Sequence, residues 1–241
     1  MSGPESFFED KLAELDGFLV DPDRSVMRLI IDPEMKRMPL RYLECRDADD
    51  SFAHLLFNHT ATFDSHLHWN QALLALLDGE IRDNAEDLEE VGADTAYRKE
   101  DADLKDKPWR LFLYRAERLA ISLRDVIDSL VFVLDPEEVI EPENWPFNIR
   151  YFADRVSTPA VKFIVFEDRV EPLLEDIEEH PKVYNQLFWL SPEQIEKRAE
   201  SQLETPVSVG AAGTPADPVE RRRALSTVGI MANARKDHAR A

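Results

Sequence analysis

The stretch LVFVLD at residues 130–135 decides the fold of this chain. It is a short, unbroken apolar run that ends in an acid, a pattern typical of a strand buried on both faces of a parallel sheet. VKFIVFED at 161–168 is a second run of this kind, and VYNQLFWL at 183–190 is interpreted as a third strand. Amphipathic stretches with short connections separate the three runs. This alternation of helix and strand predicts parallel β-α-β crossovers.

The first half of the chain adds elements of both kinds. Apolar residues at three- and four-residue spacing predict helices over 1–20 and 68–91. The runs VMRLIID (26–32), LRYLEC (40–45) and AHLLFNHTATF (53–63) favour strands.

The second half completes the predicted architecture. Its helices are predicted over 107–130, 143–157, 171–180 and 191–203. The polar segment 92–107 is interpreted as a solvated connection. We therefore expect residues 1–204 to form an α/β fold, a three-layer sandwich with a mainly parallel sheet.

Two segments follow the predicted sandwich. TPVSVGAAGTPADP (205–218) holds two glycines and three prolines, and this composition predicts a linker. Residues 219–241 form a basic, Ala-rich stretch with few large apolar side chains, which predicts a C-terminal helix. This helical tail is interpreted as a segment that docks on a partner or as the start of a helical repeat.

The charge of the chain limits its partners. Among 241 residues, 49 acids against 29 bases give a net charge of −20. Such a chain is not expected to bind nucleic acid or an anionic membrane, because phosphate binding needs clustered Lys and Arg. No apolar run approaches the ~20 residues that cross a bilayer, and the acidic N-terminus is unlike a signal peptide. The expected location is the cytoplasm.

The cysteine content excludes two further kinds of site. Cys45 is the only cysteine, so neither an intramolecular disulfide nor a Cys-rich zinc site can form. Since it ends the run 40–45, we expect it to be a buried thiol in a strand.

The segment LVFVLDPEE (130–138) is the first candidate for a functional site. Its acid follows a buried strand, and open α/β sheets bind ligands at the C-terminal ends of such strands. VKFIVFED is spaced like the next strand of such a sheet. On these patterns, residues 105–204 resemble the AAA+ and STAND group of P-loop ATPases, in which a strand-tip acid holds a magnesium-bound water. The resemblance implies three candidate catalytic acids, which are Asp135, Glu137 and Asp168.

The chain departs from that family at the phosphate-binding loop. The family needs glycines there, followed by Lys and then Ser or Thr, so that backbone N–H groups can wrap the phosphates. The matching stretch, VMRLIIDPEMKRMPL (26–40), contains no glycine, and Pro136 follows Asp135 directly. We therefore predict a degenerate, nucleotide-free descendant that takes no cofactor and uses Asp135 structurally.

A second motif, TFDSHLHWN (62–70), resembles the metal-binding opening of amidohydrolase-like barrel enzymes. The candidate ligands are Asp64, His66 and His68, because alternate residues of an extended strand point the same way. Such sites need further ligands from later strands, and few histidines follow. The alternative interpretation is that Asp64 and Ser65 cap a helix whose first turn holds both histidines.

Several large or basic side chains are candidates for contacts with partners. They are Trp109, Arg115, Arg118, Trp145, Trp189, Arg221, Arg222 and Arg223. For the arginines of the helix 107–130, ion pairs within the molecule are the simpler interpretation. The acidic stretch 78–106 is interpreted either as a solvated face or as a docking surface for a basic partner.

Two functions of different classes fit these patterns. The first is a non-catalytic domain that binds other proteins through its C-terminal helix or its acidic face, as an adaptor, scaffold or regulatory module in a larger, bacterial-type assembly or oligomer. The second is a nucleotide- or metal-dependent hydrolase or switch with an atypical site around Asp135 or around His66 and His68. A charge of −20 would also suit a mimic of nucleic acid.

Overall fold

A five-stranded, all-parallel sheet forms the centre of the structure, a computed structural model that describes residues 8–47 and 53–189. In chain order its strands are β1 (Val26–Ile31), β2 (His54–His59), β3 (Ser129–Leu134), β4 (Val161–Asp168) and β5 (Val183–Phe188). Their order across the sheet is β2-β3-β4-β1-β5. The mixed α/β class and the parallel sheet are therefore confirmed.

Seven helices connect or flank the strands within the described residues. They are α1 (Glu9–Val20), α2 (Arg37–Asp47), α3 (His66–Asp83), α4 (Ala85–Glu90), α5 (Lys99–Leu104), α6 (Pro108–Ser122) and α7 (Trp145–Arg155). Short 3-10 turns lie at Pro33–Met35 and Glu175–Ile177.

Glu14–Phe188 form one compact unit, which contains the whole sheet. The second unit combines Met1–Ala13 with Trp189–Ala241, and the structure describes only residues 8–13 and Trp189 of it. The predictions of a helix at 191–203, a linker at 205–218 and a helical tail at 219–241 fall outside the described residues.

The central strands are buried on both faces, as their apolar runs predict. Every residue of β3 is buried, and so are the first seven residues of β4. Because a parallel sheet is covered by helices on both sides, its inner strands have no polar face to present to water.

Aromatic side chains join one face of the sheet to its helices. The Phe132 ring stacks on the Phe57 ring at 4.8 Å between centroids, and Phe112 of α6 meets Phe132 edge-on at 4.9 Å. Phe152 of α7 stacks on Phe163 at 4.5 Å. These contacts between large rings make this side the main hydrophobic core.

The opposite face carries α1 and α2. Lys162 is adjacent to Phe163 on β4 and therefore projects from the other side of the sheet. Its ammonium lies 5.2 Å from the centroid of the Phe18 ring of α1, and Tyr42 of α2 donates a hydrogen bond to Asp16 of α1 at 2.6 Å. Helices on both faces complete the three-layer sandwich.

The strand predicted at 40–45 is wrong, because these residues belong to α2. Pro39 is the third residue of the helix, where its missing N–H has no intrahelical partner to lose. Of the eleven residues of α2 only Pro39 and Leu43 are buried, so one narrow side of it touches the protein. Cys45 is exposed on this helix, so the prediction of a buried thiol is also wrong.

The helix predicted at 171–180 is also wrong, since only the 3-10 turn Glu175–Ile177 forms there. The buried carboxylate of Glu167 accepts hydrogen bonds from the backbone N–H groups of Leu173 and Leu174. A side chain from the sheet therefore satisfies backbone donors that a helix would have used, and the loop stays irregular.

Three other boundaries differ from the sequence predictions. The helix predicted over 68–91 breaks at Asn84, whose side chain donates to the carbonyl of Glu80 at 2.9 Å and separates α3 from α4. The connection predicted over 92–107 contains α5. The helix predicted to reach residue 130 ends at Ser122, before the chain turns into β3.

Candidate functional site at the carboxyl edge of the sheet

The carboxyl ends of parallel strands meet at one edge, and three acids lie there. Asp32 follows β1, Asp135 follows β3, and Asp168 is the last residue of β4. This edge is where open α/β sheets hold ligands. It is therefore the first place to look for a site.

Asp135 is bound to the loop that follows β1. Its Oδ1 atom accepts a hydrogen bond from Nζ of Lys36 at 2.7 Å, and both side chains are largely covered, with 18% and 26% exposed. The backbone N–H of Asp135 donates to the carbonyl of His59 at 3.1 Å. The acid at the tip of β3 thus ties together the ends of three strands.

The other two candidate acids have different surroundings. Asp168 accepts a hydrogen bond from the backbone N–H of Val170 at 2.8 Å, which fixes the turn after β4. Glu137 is exposed, and its backbone N–H donates to the carbonyl of Thr60 at 3.1 Å. Of the three, Asp135 is the acid that pairs with a cation at the sheet edge.

The loop between β1 and α2 offers little to a phosphate group. Asp32 leads into the 3-10 turn Pro33–Met35, and the backbone N–H of Met35 already donates to the carbonyl of Asp32 at 2.8 Å. Pro33 has no N–H to donate. A second ion pair holds this loop, because Nε of Arg169 lies 2.8 Å from Oδ1 of Asp32.

The two candidate metal-binding histidines lie on α3 and point away from each other. Ser65 is the N-cap residue, and its Oγ accepts from the backbone N–H of His68 at 3.2 Å, which confirms the capping alternative. Residues two apart on a helix face different directions. The interpretation as alternate residues of a strand is therefore wrong.

The side chains of these histidines have unrelated contacts. The His66 ring packs at a tilt against the Trp109 ring, with 4.6 Å between centroids, and burial lowers the pKa of His66. His68 is exposed and lies 3.1 Å from Asp64, which lowers the pKa of that carboxyl. Among the described residues, no group of three or more His, Cys, Asp or Glu side chains could hold a metal ion.

Sequence reasoning did not assign a role to the polar cluster beneath His66. The Asn70 amide donates to Asn148 at 2.7 Å and to the backbone carbonyl of His66 at 2.7 Å. Close by, His59 at the end of β2 is 5% exposed and meets the Trp69 ring edge-on at 4.6 Å. Burial lowers the pKa of His59 to about 4. These residues belong to no recognisable sequence motif, so the sequence alone does not single them out.

The candidate arginines of α6 form ion pairs within the molecule. Arg115 is buried, pairs with Asp78 of α3 and lies over the ring of Tyr97 at 5.0 Å. Arg118 pairs with the fully buried Asp101 of α5 at 3.2 Å. The interpretation as internal ion pairs is therefore confirmed for these two arginines: Arg115 joins α6 to α3, and Arg118 joins α6 to α5.

The candidate tryptophans fall into different environments. Trp145 is 2% exposed and meets Trp69 edge-on at 5.1 Å, so it belongs to the core. Trp109 is half-buried against His66. Trp189 is the last described residue. The three arginines 221–223 lie outside the described residues.

The acidic stretch 78–106 is mostly solvated. No residue of α4 is buried, and its four acids are exposed. Asp101 of α5 is the exception, because it is buried against Arg118.

A comparison with family models finds no match, and a comparison with curated proteins finds none either. Within the described residues, none of the helices combines the length and the apolar character that crossing a membrane requires.

Proposed function

We propose that this chain is a non-catalytic protein-interaction domain, built on a P-loop-NTPase-like sandwich whose phosphate-binding loop has been lost. It acts as an adaptor or regulatory module of a larger assembly, needs no cofactor and works in the cytoplasm. The observation that carries the proposal is the ion pair between Lys36 and Asp135. In the ATPases that the strand pattern resembles, the first loop and the strand-tip acid bind a nucleotide and its magnesium.

In this chain the corresponding charges neutralise each other. A hydrated magnesium ion would have to displace the Lys36 ammonium group, which lies 2.7 Å from the partly buried carboxylate of Asp135. The loop after β1 supplies no glycine-rich set of N–H donors, and Arg169 holds Asp32 in the same loop. Both features support a structural role for this edge of the sheet, with no open site for a nucleotide.

The edge would have to open for the second candidate function, a nucleotide-dependent switch. The observation that favours it is that Lys36 and Asp135 stand at the two places where a phosphate site of this kind keeps a lysine and an acid. A ligand would need to break their ion pair first.

Calorimetry of the full chain with Mg-ATP and Mg-GTP separates the two functions. We expect no binding at millimolar nucleotide, in the wild type and in Asp135→Ala alike. The matched control is Glu137→Ala, which removes an exposed acid two residues away. Micromolar binding that Asp135→Ala abolishes and Glu137→Ala preserves would show that the domain is a nucleotide switch.

A further inference from the structure

Within residues 8–47 and 53–189, the outer edge of β2 is an open strand edge. Asp135 donates to the carbonyl of His59, so the odd-numbered residues of β2 direct their backbone groups toward β3. The N–H and C=O groups of Leu56 and Asn58 therefore point outward. No other strand of the described chain pairs with this side of β2.

The strand carries none of the charged or proline residues that often protect such an edge. Its sequence, HLLFNH, has no lysine, no other residue charged at neutral pH and no proline. Leu55 is 38% exposed, and Leu56 on the other face is partly exposed. An incoming strand would therefore meet an apolar side chain on each face of the sheet.

The opposite edge of the sheet is different. At the start of β5, the carbonyl of Val183 accepts from Nη1 of Arg24 at 2.6 Å, and the N–H of Val183 donates to His180 at 2.9 Å. The first outward backbone groups of β5 are thus already used. Of the two edges, β2 is the better site for another strand.

Exposed acids stand at both ends of β2. At its start, the N–H of Asp128 donates to the carbonyl of Ala53 at 2.6 Å, and the Asp128 side chain is exposed. At its end, Glu137 is held beside Thr60 by a backbone hydrogen bond. Two copies of a chain with net charge −20 repel each other, so a basic segment complements this edge better than a second copy does.

We propose that the outer edge of β2 binds an extended segment of another protein as a sixth strand, and that this segment carries Lys or Arg at its ends around an apolar centre. The proposal rests on the proposed function, since it names the surface and the kind of partner through which the domain acts. Backbone hydrogen bonds supply the affinity in this mode of recognition, and the flanking charges supply the selectivity.

The test uses the full chain and three short peptides. The probe has the sequence KVTVTVK, the second peptide replaces both lysines with glutamates, and the third carries methyl groups on alternate backbone nitrogens of the probe. We expect the probe to slow the amide hydrogen exchange of Leu56 and Asn58. The glutamate peptide should bind about tenfold more weakly at low salt, and the methylated peptide should not bind.

A matched pair of variants locates the contact. Asn58→Pro removes an outward N–H without touching the hydrogen bonds between β2 and β3, whereas Asn58→Thr keeps the N–H. We expect the probe to bind Asn58→Thr as it binds the wild type, and Asn58→Pro at least about tenfold more weakly. Thermal unfolding checks that Asn58→Pro is folded, and the methylated peptide tests the same bonds on the unaltered protein.

The proposal is overturned if the probe does not bind, if the methylated peptide binds equally well, or if the protected amides lie away from β2. Such a result would leave the proposed function standing as long as calorimetry shows no nucleotide binding. Nucleotide binding would refute the proposed function whatever the peptides do.

Discussion

At the scale of single residues, Arg28 on β1 and Glu167 on β4 form a buried ion pair. Both side chains are 3% exposed, and Nε of Arg28 donates to Oε2 of Glu167. The other carboxylate oxygen, Oε1, accepts hydrogen bonds from the backbone N–H groups of Leu173 and Leu174. One carboxylate therefore neutralises a buried cation and also shapes the connection from β4 to β5.

The variant Glu167→Gln removes the negative charge and keeps an acceptor for the loop. Arg28 is then left as a buried cation whose remaining polar partners in the described chain are Asn185 at 3.4 Å and the exposed Glu178 at 3.8 Å. We expect the free energy of unfolding to fall by about 3–5 kcal/mol, because an uncompensated buried charge is costly. Urea unfolding followed by circular dichroism measures the change.

The control is Glu171→Gln, which changes an exposed acid of the same connection. It should stay within about 0.5 kcal/mol of the wild type. Equal stability of the two variants would mean that the ion pair contributes nothing beyond its hydrogen bonds.

At the scale of elements, the N-cap of α3 determines that the segment from Asp64 to His68 begins a helix. The string Asp64 to His68 can be read as a strand end or as a helix start. Ser65 has extended backbone, with φ −161° and ψ 156°, and its hydroxyl accepts the N–H of His68. The cap starts a helix of eighteen residues that buries Trp69, Leu73 and Leu77 against the sheet.

Replacing Ser65 with alanine removes this acceptor. We expect a loss of about 1 kcal/mol in the free energy of unfolding. The variant Ser65→Asp keeps a capping oxygen at the favourable N-terminus of the helix and should lose much less. Thermal unfolding of the three proteins at one pH makes the comparison, and a Ser65→Asp protein as unstable as Ser65→Ala would contradict this role.

At the scale of the whole molecule, the sandwich buries His54 and His59 and partly buries His66. Burial lowers the pKa values of His54, His59 and His66, and that of His59 to about 4. In the unfolded chain a histidine titrates near 6.5. The unfolded state therefore takes up protons before the folded state does as the pH falls.

Acid should destabilise the domain in a defined window. The contribution of His59 is fully present above pH 6.5 and is lost as the pH falls from about 6.5 to about 4, a total loss of roughly 3 kcal/mol. The variant His59→Phe keeps a ring against Trp69 and cannot titrate. We expect the stability of the wild type, relative to this variant, to fall between pH 6.5 and 4 in urea titrations. Parallel pH curves for the two proteins would refute the role of His59.

Local sequence determined the strands and most of the helices. The inner strands β3 and β4 are largely apolar runs that can be recognised without knowing their neighbours, whereas the edge strand β5 carries Asn185 and Gln186 and is only partly buried. The helix α6 was predicted from its apolar spacing and the proline at its first turn. The absence of a glycine-rich loop after β1 is likewise visible in the letters alone.

Tertiary structure decided what the letters leave open. The order β2-β3-β4-β1-β5 places the tip of β3 within reach of the loop after β1, so Lys36 and Asp135 meet although they are 99 residues apart. The loop after β4 forms where a helix was predicted, because Glu167 binds its backbone N–H groups. The helix α2 forms where the local pattern favours a strand. In each case the outcome depends on a contact made in the folded molecule, with a residue outside the segment itself. A propensity computed over neighbouring residues contains no information about such a partner.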